Sequence, residues 1–320
     1  MSVGLVYDER FLGHVAPPGH PERPARLEVC VRALKERGLW DRVVHVPSRS
    51  ATREEALRVH DAAYLDELEA LRGQRGYLDA DTYFSAGTVE AAWHAAGSVV
   101  ELVQAVRAGR LGRGVALVRP PGHHAERARA GGFCVLGNVA IAAAAAREAG
   151  DRVAVVDFDV HHGNGTQSAF YRDGRVLFVS LHEYGPGFYP GSGGAAERGE
   201  GAGLGATLNV PLPAGIEAAD YLALVDGQVV PAVEAFRPDL LLVSAGFDGH
   251  VRDPLGGLCL DDDGLAAVCQ RLDRLANALC GRRWVAVLEG GYHLEALATG
   301  VSRLVETMLS EASSLEGTSP

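Results

Sequence analysis

The sequence predicts an α/β fold: a single domain with a mainly parallel eight-stranded sheet flanked by helices. Three observations predict it. Eight short apolar runs rich in Val and Leu recur along the chain, longer Ala/Leu/Arg stretches of helical spacing separate several of them, and polar or metal-ligating residues stand at the ends of five runs. Short continuous apolar runs read as strands buried on both faces. Strands alternating with helices imply a parallel sheet with both faces covered.

The runs are Val3–Tyr7, Val43–Val46, Val115–Val118, Val153–Val156, Val176–Ser180, Thr207–Val210, Leu240–Ser244 and Trp284–Leu288. Helical spacing fits Ala25–Arg37, Ala86–Arg107, Val139–Ala149, Ala218–Phe236 and Gly264–Leu279. No internal repeat or interdomain linker interrupts the pattern, so residues 1–310 are expected to form one domain. Glycine-rich Gly185–Gly205 reads as a functional surface loop, because strand patterns resume directly after it. The polar segment 311–320 is expected to be a disordered tail.

At 320 residues with 47% hydrophobic content the chain can bury a large core. A net charge of -11 argues against a nucleic-acid partner, which needs a basic footprint. It suits a cationic partner such as a basic peptide or a polyamine, and equally a plain acidic surface. The five scattered cysteines form no CxxC pair and read as reduced thiols. The opening MSVGLVYDERF lacks the pattern of a signal peptide, and no apolar run is long enough to span a bilayer. A cytoplasmic protein without membrane contact is the expectation; a homo-oligomer stays open.

The chemistry gathers at run ends. Arg119-Pro-Pro-Gly-His-His follows one run, Asp157-Phe-Asp-Val-His-His a second, Ser180-Leu-His a third, Ser244-Ala-Gly-Phe-Asp a fourth and Glu289-Gly-Gly-Tyr a fifth. Open parallel sheets bind ligands at the carboxyl ends of their strands. Residues two apart on an extended segment share a side, so Asp159 and His161 can reach one ion with Asp157 behind them, while His162 points away. Asp248 is the candidate third ligand. Two carboxylates, one imidazole and an open position describe a catalytic metal site. Zinc is the default, and an oxygen-rich set also suits Fe²⁺ or Co²⁺. Alone, a D-x-D after a strand is as often a helix cap; Asp248 and the histidine pair shift the balance.

His123 and His124 stand in a loop stiffened by two prolines. A metal-bound water needs a base to take its proton and an acid to protonate the leaving group, and a histidine can serve as both. Tyr292, after two glycines, can donate a hydrogen bond to a carbonyl oxygen as negative charge develops there.

Together these pieces resemble the metal-dependent histone deacetylase family, which includes acetylpolyamine amidohydrolases, and in particular its class II-like bacterial members. The resemblance spans nearly the whole chain: HPERPARL (His20–Leu27), VHDAAYL (Val59–Leu65), RPPGHHA (Arg119–Ala125), GGFC (Gly131–Cys134), DFDVHHGNGTQ (Asp157–Gln167), SLH (Ser180–His182), NVPLPAG (Asn209–Gly215), SAGFDGHVRDPLGG (Ser244–Gly257) and LEGGY (Leu288–Tyr292). It implies the arginase/deacetylase fold. It further implies that Asp159, His161 and Asp248 hold zinc, that His124 is the general base and acid, and that His123 assists electrostatically. Asp157 would orient His123 and, with Ser180, touch a structural K⁺. Tyr292 would polarise the scissile carbonyl. Phe133 and Phe188 would line a narrow tunnel, with Gly132 beside Phe133. Asn164 stands where smaller nuclear-type members carry aspartate. A neutral amide supports the basicity of His124 less than a carboxylate, so the acidic limb of the pH–rate profile is expected to lie lower.

Two substrates compete. Leu255 in RDPLGG stands where acetylpolyamine enzymes carry an acidic gatekeeper, which favours acylated lysine in proteins or peptides over an acetylpolyamine or other small amide. Asp81 is expected either to grip the peptide backbone at the tunnel rim or to cap a helix. An arginase-like reading lacks its second aspartate-rich motif. A non-catalytic acetyllysine-binding regulator would have lost Tyr292, His124 or a ligand, and all are present.

Overall fold

The computed structural model of the protein describes residues 2–310; the tail expected at 311–320 lies outside the described residues. The eight runs form strands β1 (Val3–Val6), β2 (Val44–His45), β3 (Arg113–Ala116), β4 (Val153–Asp157), β5 (Val176–Glu183), β6 (Thr207–Leu212), β7 (Leu240–Ala245) and β8 (Trp284–Leu288). They pair in the order β2-β1-β3-β8-β7-β4-β5-β6, every pair parallel. β1, β3, β4, β7 and β8 are buried at every position, as strands covered on both faces must be.

The helix Ala25–Glu36 packs on Leu294–Leu309, which packs on Asp262–Leu279. The helix Thr88–Arg107 packs on Asn138–Glu148 and reaches β1, β3 and β8. Asp262–Leu279 starts cleanly because the Asp261 carboxylate accepts from the Gly264 N–H at 2.7 Å, and Asp262 and Asp263 favour the positive end of its dipole. Ala218–Phe236 is helical throughout but passes through a π-helical turn at Val225–Val229. Among the described residues no helix is long and apolar enough to cross a membrane.

Two strand ends near the site and one added element differ from expectation. β3 stops at Ala116: the Leu117 N–H still pairs with the Val6 carbonyl, but Pro120 and Pro121, which lack N–H donors, follow within a few residues. β5 runs on to Glu183, because β6 continues beside it as far as the pair Glu183 and Leu212. Ser180 and His182 therefore lie inside a strand rather than beyond its end. A short antiparallel pair, Gly76–Tyr77 with Tyr83–Phe84, carried too little pattern to be foreseen, and its turn holds Asp81.

β3, β8, β7 and β4 are consecutive neighbours in the sheet. The loops leaving their carboxyl ends carry His123 and His124, Tyr292, Asp248, and Asp159 with His161. Strand order thus gathers residues far apart in sequence above one edge of the sheet.

Candidate metal centre and catalytic tunnel

At the end of β4 two aspartates each cap the backbone two residues on. Asp157 accepts from the Asp159 N–H at 3.1 Å, and Asp159 from the His161 N–H at 2.9 Å. Asp248 Oδ1 accepts from the Val160 N–H at 2.9 Å, and Asp159 Oδ2 from the Gly290 N–H at 2.7 Å. So anchored, Asp159 Oδ1 and Asp248 Oδ2 stand 3.1 and 3.2 Å from His161 Nδ1. Gly290 is required for close approach, since a Cβ there would strike both carboxylates.

Asp159 and Asp248 are fully buried, and ligand-type atoms of Asp159, His161 and Asp248 lie within 4.8 Å of one another. Burial, with the Asp159 carboxylate beside it, pushes the Asp248 carboxyl up to about 7. Two buried carboxylates facing one imidazole, with no Arg or Lys in the group, form a donor set that fits a divalent cation. His162 points away, bonding Ser192 and Gln167 at 2.9 and 3.0 Å.

His123 Nδ1 lies 3.0 Å from Asp157 Oδ2. Burial acts downward on this imidazole, but the carboxylates of Asp159 and Asp157 outweigh it and raise it to about 10. His124, its ring centroid 3.9 Å from that of His123, bonds Asn164 Oδ1 through Nδ1 at 2.7 Å. Burial, then the positive charge of His123 and His161, holds His124 well below the ordinary histidine value.

Above these groups is a cavity of about 260 Å³. His124, His161 and Tyr292 face it from below. Phe133, Phe188, Tyr189 and Gly132 also line it, together with Leu255 and Asp81. Phe188 stacks on His161 with centroids 5.2 Å apart. Phe133, held at φ 68°, meets the Tyr292 ring edge-on at 5.8 Å. Gly132 has φ 53°, and a Cβ there would collide with the His124 ring. Helix capping by Asp81 is corrected: it sits in the hairpin turn, exposed, and the next helix starts only at Thr88.

Residues 20–308 match the Histone deacetylase domain family. A probable deacetylase of Archaeoglobus fulgidus is 40% identical over 92% of this chain and 82% of its own length. The chain belongs to the histone deacetylase family. Human polyamine deacetylase HDAC10 is 43% identical over 97% of this chain, and Arabidopsis thaliana histone deacetylase 5 is 40% identical over 97%. The chain spans about half the length of these two relatives, 48% and 49%. The crystal structure of the HDA15 HD domain superposes with a TM-score of 0.93 at 38% identity, covering 97% of this chain and 89% of that one. The fold is accordingly the deacetylase fold.

Other residues of this deacetylase domain support the site from outside the ligand set. Glu22 and Arg26 of HPERPARL, with Arg119, form a buried ion cluster: Glu22 binds both guanidiniums and the Tyr83 hydroxyl. Arg26 in turn donates to the carbonyls of Glu289 and Gly291. Asp253 accepts from the Tyr292, His293 and Leu255 N–H groups at 2.6, 3.1 and 3.0 Å, tying together the backbones of two residues that line the cavity, Tyr292 and Leu255. Tyr189, beside Phe188, presents its ring to His124 at 5.0 Å. An isolated Arg, Glu or Tyr in a motif carries no signal of these partners. The glycine-rich setting of Phe188 was the one hint for Tyr189.

Proposed function

We propose that this protein is a zinc-dependent hydrolase that removes acetyl or similar acyl groups from the side-chain amine of lysine in proteins or peptides. One observation carries the reading: Asp159, His161 and Asp248 converge beside His124 and Tyr292 at the floor of a narrow aromatic tunnel. When bound by those three residues, zinc supplies Lewis acidity toward the amide carbonyl and lowers the pKa of water. Fe²⁺ and Co²⁺ suit the same oxygen-rich set.

The other roles fall to the chain's own groups. Phe133 and Phe188 enclose the alkyl chain and exclude water. His124, held low by burial, is neutral at physiological pH and accepts the proton of the attacking water at Nε2, since Nδ1 faces Asn164. It then gives that proton to the departing amine. His123, braced by Asp157 at 3.0 Å and lying against His124, assists electrostatically as negative charge develops. Burial keeps the Tyr292 hydroxyl protonated, so it donates to the carbonyl oxygen. Asp157 and Ser180, register partners on β4 and β5, would hold a structural K⁺ that tempers the buried Asp157 charge. All five cysteines are free, which suits a cytoplasmic protein.

An acetylpolyamine substrate is the second reading, supported by likeness to a relative named as a polyamine deacetylase. The apolar Leu255 at the rim supports the lysine reading over it. The test is hydrolysis of an acetyllysine peptide and of acetylspermidine by the zinc-loaded protein, with metal analysis of Asp159→Ala and Asp248→Ala. Zinc-dependent turnover of the peptide, and loss of zinc in both variants, are expected. A folded, zinc-replete protein that cleaves neither amide would overturn the reading.

A further inference from the structure

We propose that Glu126 is a positioning residue that, through Asn164, decides which ring nitrogen of His124 carries the proton. The inference rests on His124 being the base of the proposed hydrolysis. Asn164 Nδ2 donates to Glu126 Oε1 at 2.7 Å, and Asn164 Oδ1 lies 2.7 Å from His124 Nδ1. An amide can turn over with almost no change of shape, so its partners choose its orientation. An ionised carboxylate only accepts hydrogen bonds. The end of Asn164 facing Glu126 is therefore the NH₂ group, and the end facing His124 is the carbonyl. A carbonyl also only accepts, so His124 Nδ1 carries the hydrogen. The lone pair is left on Nε2, the nitrogen not engaged by Asn164.

With the amide reversed, its NH₂ would donate to Nδ1. The hydrogen would then reside on Nε2, and the ring could not take a proton from water there. The reversed amide would also set a carbonyl oxygen against the Glu126 carboxylate. Glu126 is launched from a fixed backbone: its N–H bonds the Arg129 carbonyl, and its carbonyl accepts from His60 Nδ1 at 2.9 Å. The donor role of His60 Nδ1 follows because its Nε2 accepts from the Gly137 N–H. The charged side chain facing the Glu126 carboxylate is the exposed Arg129, 3.1 Å away. Glu126 and Asn164 lie in a surface cleft with Gln167 and Glu197, and neither lines the tunnel cavity. The orientation of the buried base is thus set from outside the substrate's path.

The test compares zinc-loaded Glu126→Leu and Glu126→Gln with the parent, using an acetyllysine peptide and ¹⁵N spectra of the histidine rings. Leu offers no acceptor. It should lower kcat by about 10–100-fold, the usual cost of losing such a supporting partner, leave KM unchanged, and give His124 a mixed tautomer signature. Gln can still turn its Oε1 to Asn164 and should restore both kcat and the Nδ1–H signature. Parent-like kcat and tautomer in the Leu variant would overturn the proposal, as would equal losses in Leu and Gln. The tautomer is readable whether or not the protein hydrolyses amides. An inactive parent with an Nδ1–H His124 that the Leu variant loses would therefore count against the hydrolase reading alone.

Discussion

The guanidinium of Arg26 lies over the ring of Tyr292, 4.9 Å from its centroid, while its N–H groups hold the carbonyls of Glu289 and Gly291 just before that tyrosine. A buried cation thus fixes both the backbone and the ring of the residue proposed to donate to the substrate carbonyl. Burial holds the tyrosine hydroxyl protonated, with Arg26 pulling the other way. Tyr292→Phe keeps the ring contacts and removes only the donor. It should lower kcat by about 10²–10³-fold, with zinc content unchanged. Steady-state kinetics with an acetyllysine peptide check this, and near-parental turnover would remove Tyr292 from the mechanism.

Arg26 depends on Glu22 in its turn. Burial alone would raise the Glu22 carboxyl, but Arg119 and His14 carry it well below its ordinary value of 4.5. A depressed carboxyl contributes stability that is complete above the unfolded value and is lost as pH falls through the folded one. Glu22→Gln leaves Arg119 buried without its counter-charge and should cost about 3–5 kcal/mol at pH 7. The gap between variant and parent should narrow as pH drops below the ordinary value. Denaturant unfolding at neutral and acidic pH measures both, and a gap that widened in acid would contradict the assignment.

His124 carries a pH signature of its own. Burial, above all, holds it well below its ordinary 6.5. Asn164 offers Nδ1 a neutral oxygen without a full charge. A lowered pKa keeps the base free of its proton further into acid, so activity fails only as pH falls through that lower value. The acidic limb of kcat/KM, which reports the free enzyme, should therefore lie below 6.5. A limb at or above that value would show that some other group governs it.

Leu255 at the rim gives a handle on substrate choice. Leu255→Glu would set a carboxylate where the far ammonium of an acetylpolyamine would pass. A partly exposed ion pair is worth up to about 1 kcal/mol, so kcat/KM for acetylspermidine relative to an acetyllysine peptide should rise up to about 5-fold. An unchanged ratio would mean that discrimination lies elsewhere on the rim.

Much of this protein was decided by local pattern. Apolar runs such as Val153–Val156 and Leu240–Ser244 specify buried strands because only a sheet covered on both faces hides every side chain. The spacing of Asp157, Asp159 and His161 suggested side chains on one side of an extended segment, but the strand ends at Asp157 and the caps on the Asp159 and His161 N–H groups set the chain's course there. Other features exist only because distant segments meet. The strand order β3-β8-β7-β4 brings His124, Tyr292, Asp248 and His161 together. The clamp of Asp253 on the Leu255 and Tyr292 backbones, and the line from Glu126 through Asn164 to His124, arise in the same way. β5 runs past Ser180 because β6 lies beside it, and Asp81 sits at the rim because a hairpin too short to show in the pattern carries it there. Periodicity reports which face a residue takes within its own element. A hydrogen-bond partner from another element leaves no mark on the local sequence, so tertiary structure alone could decide it.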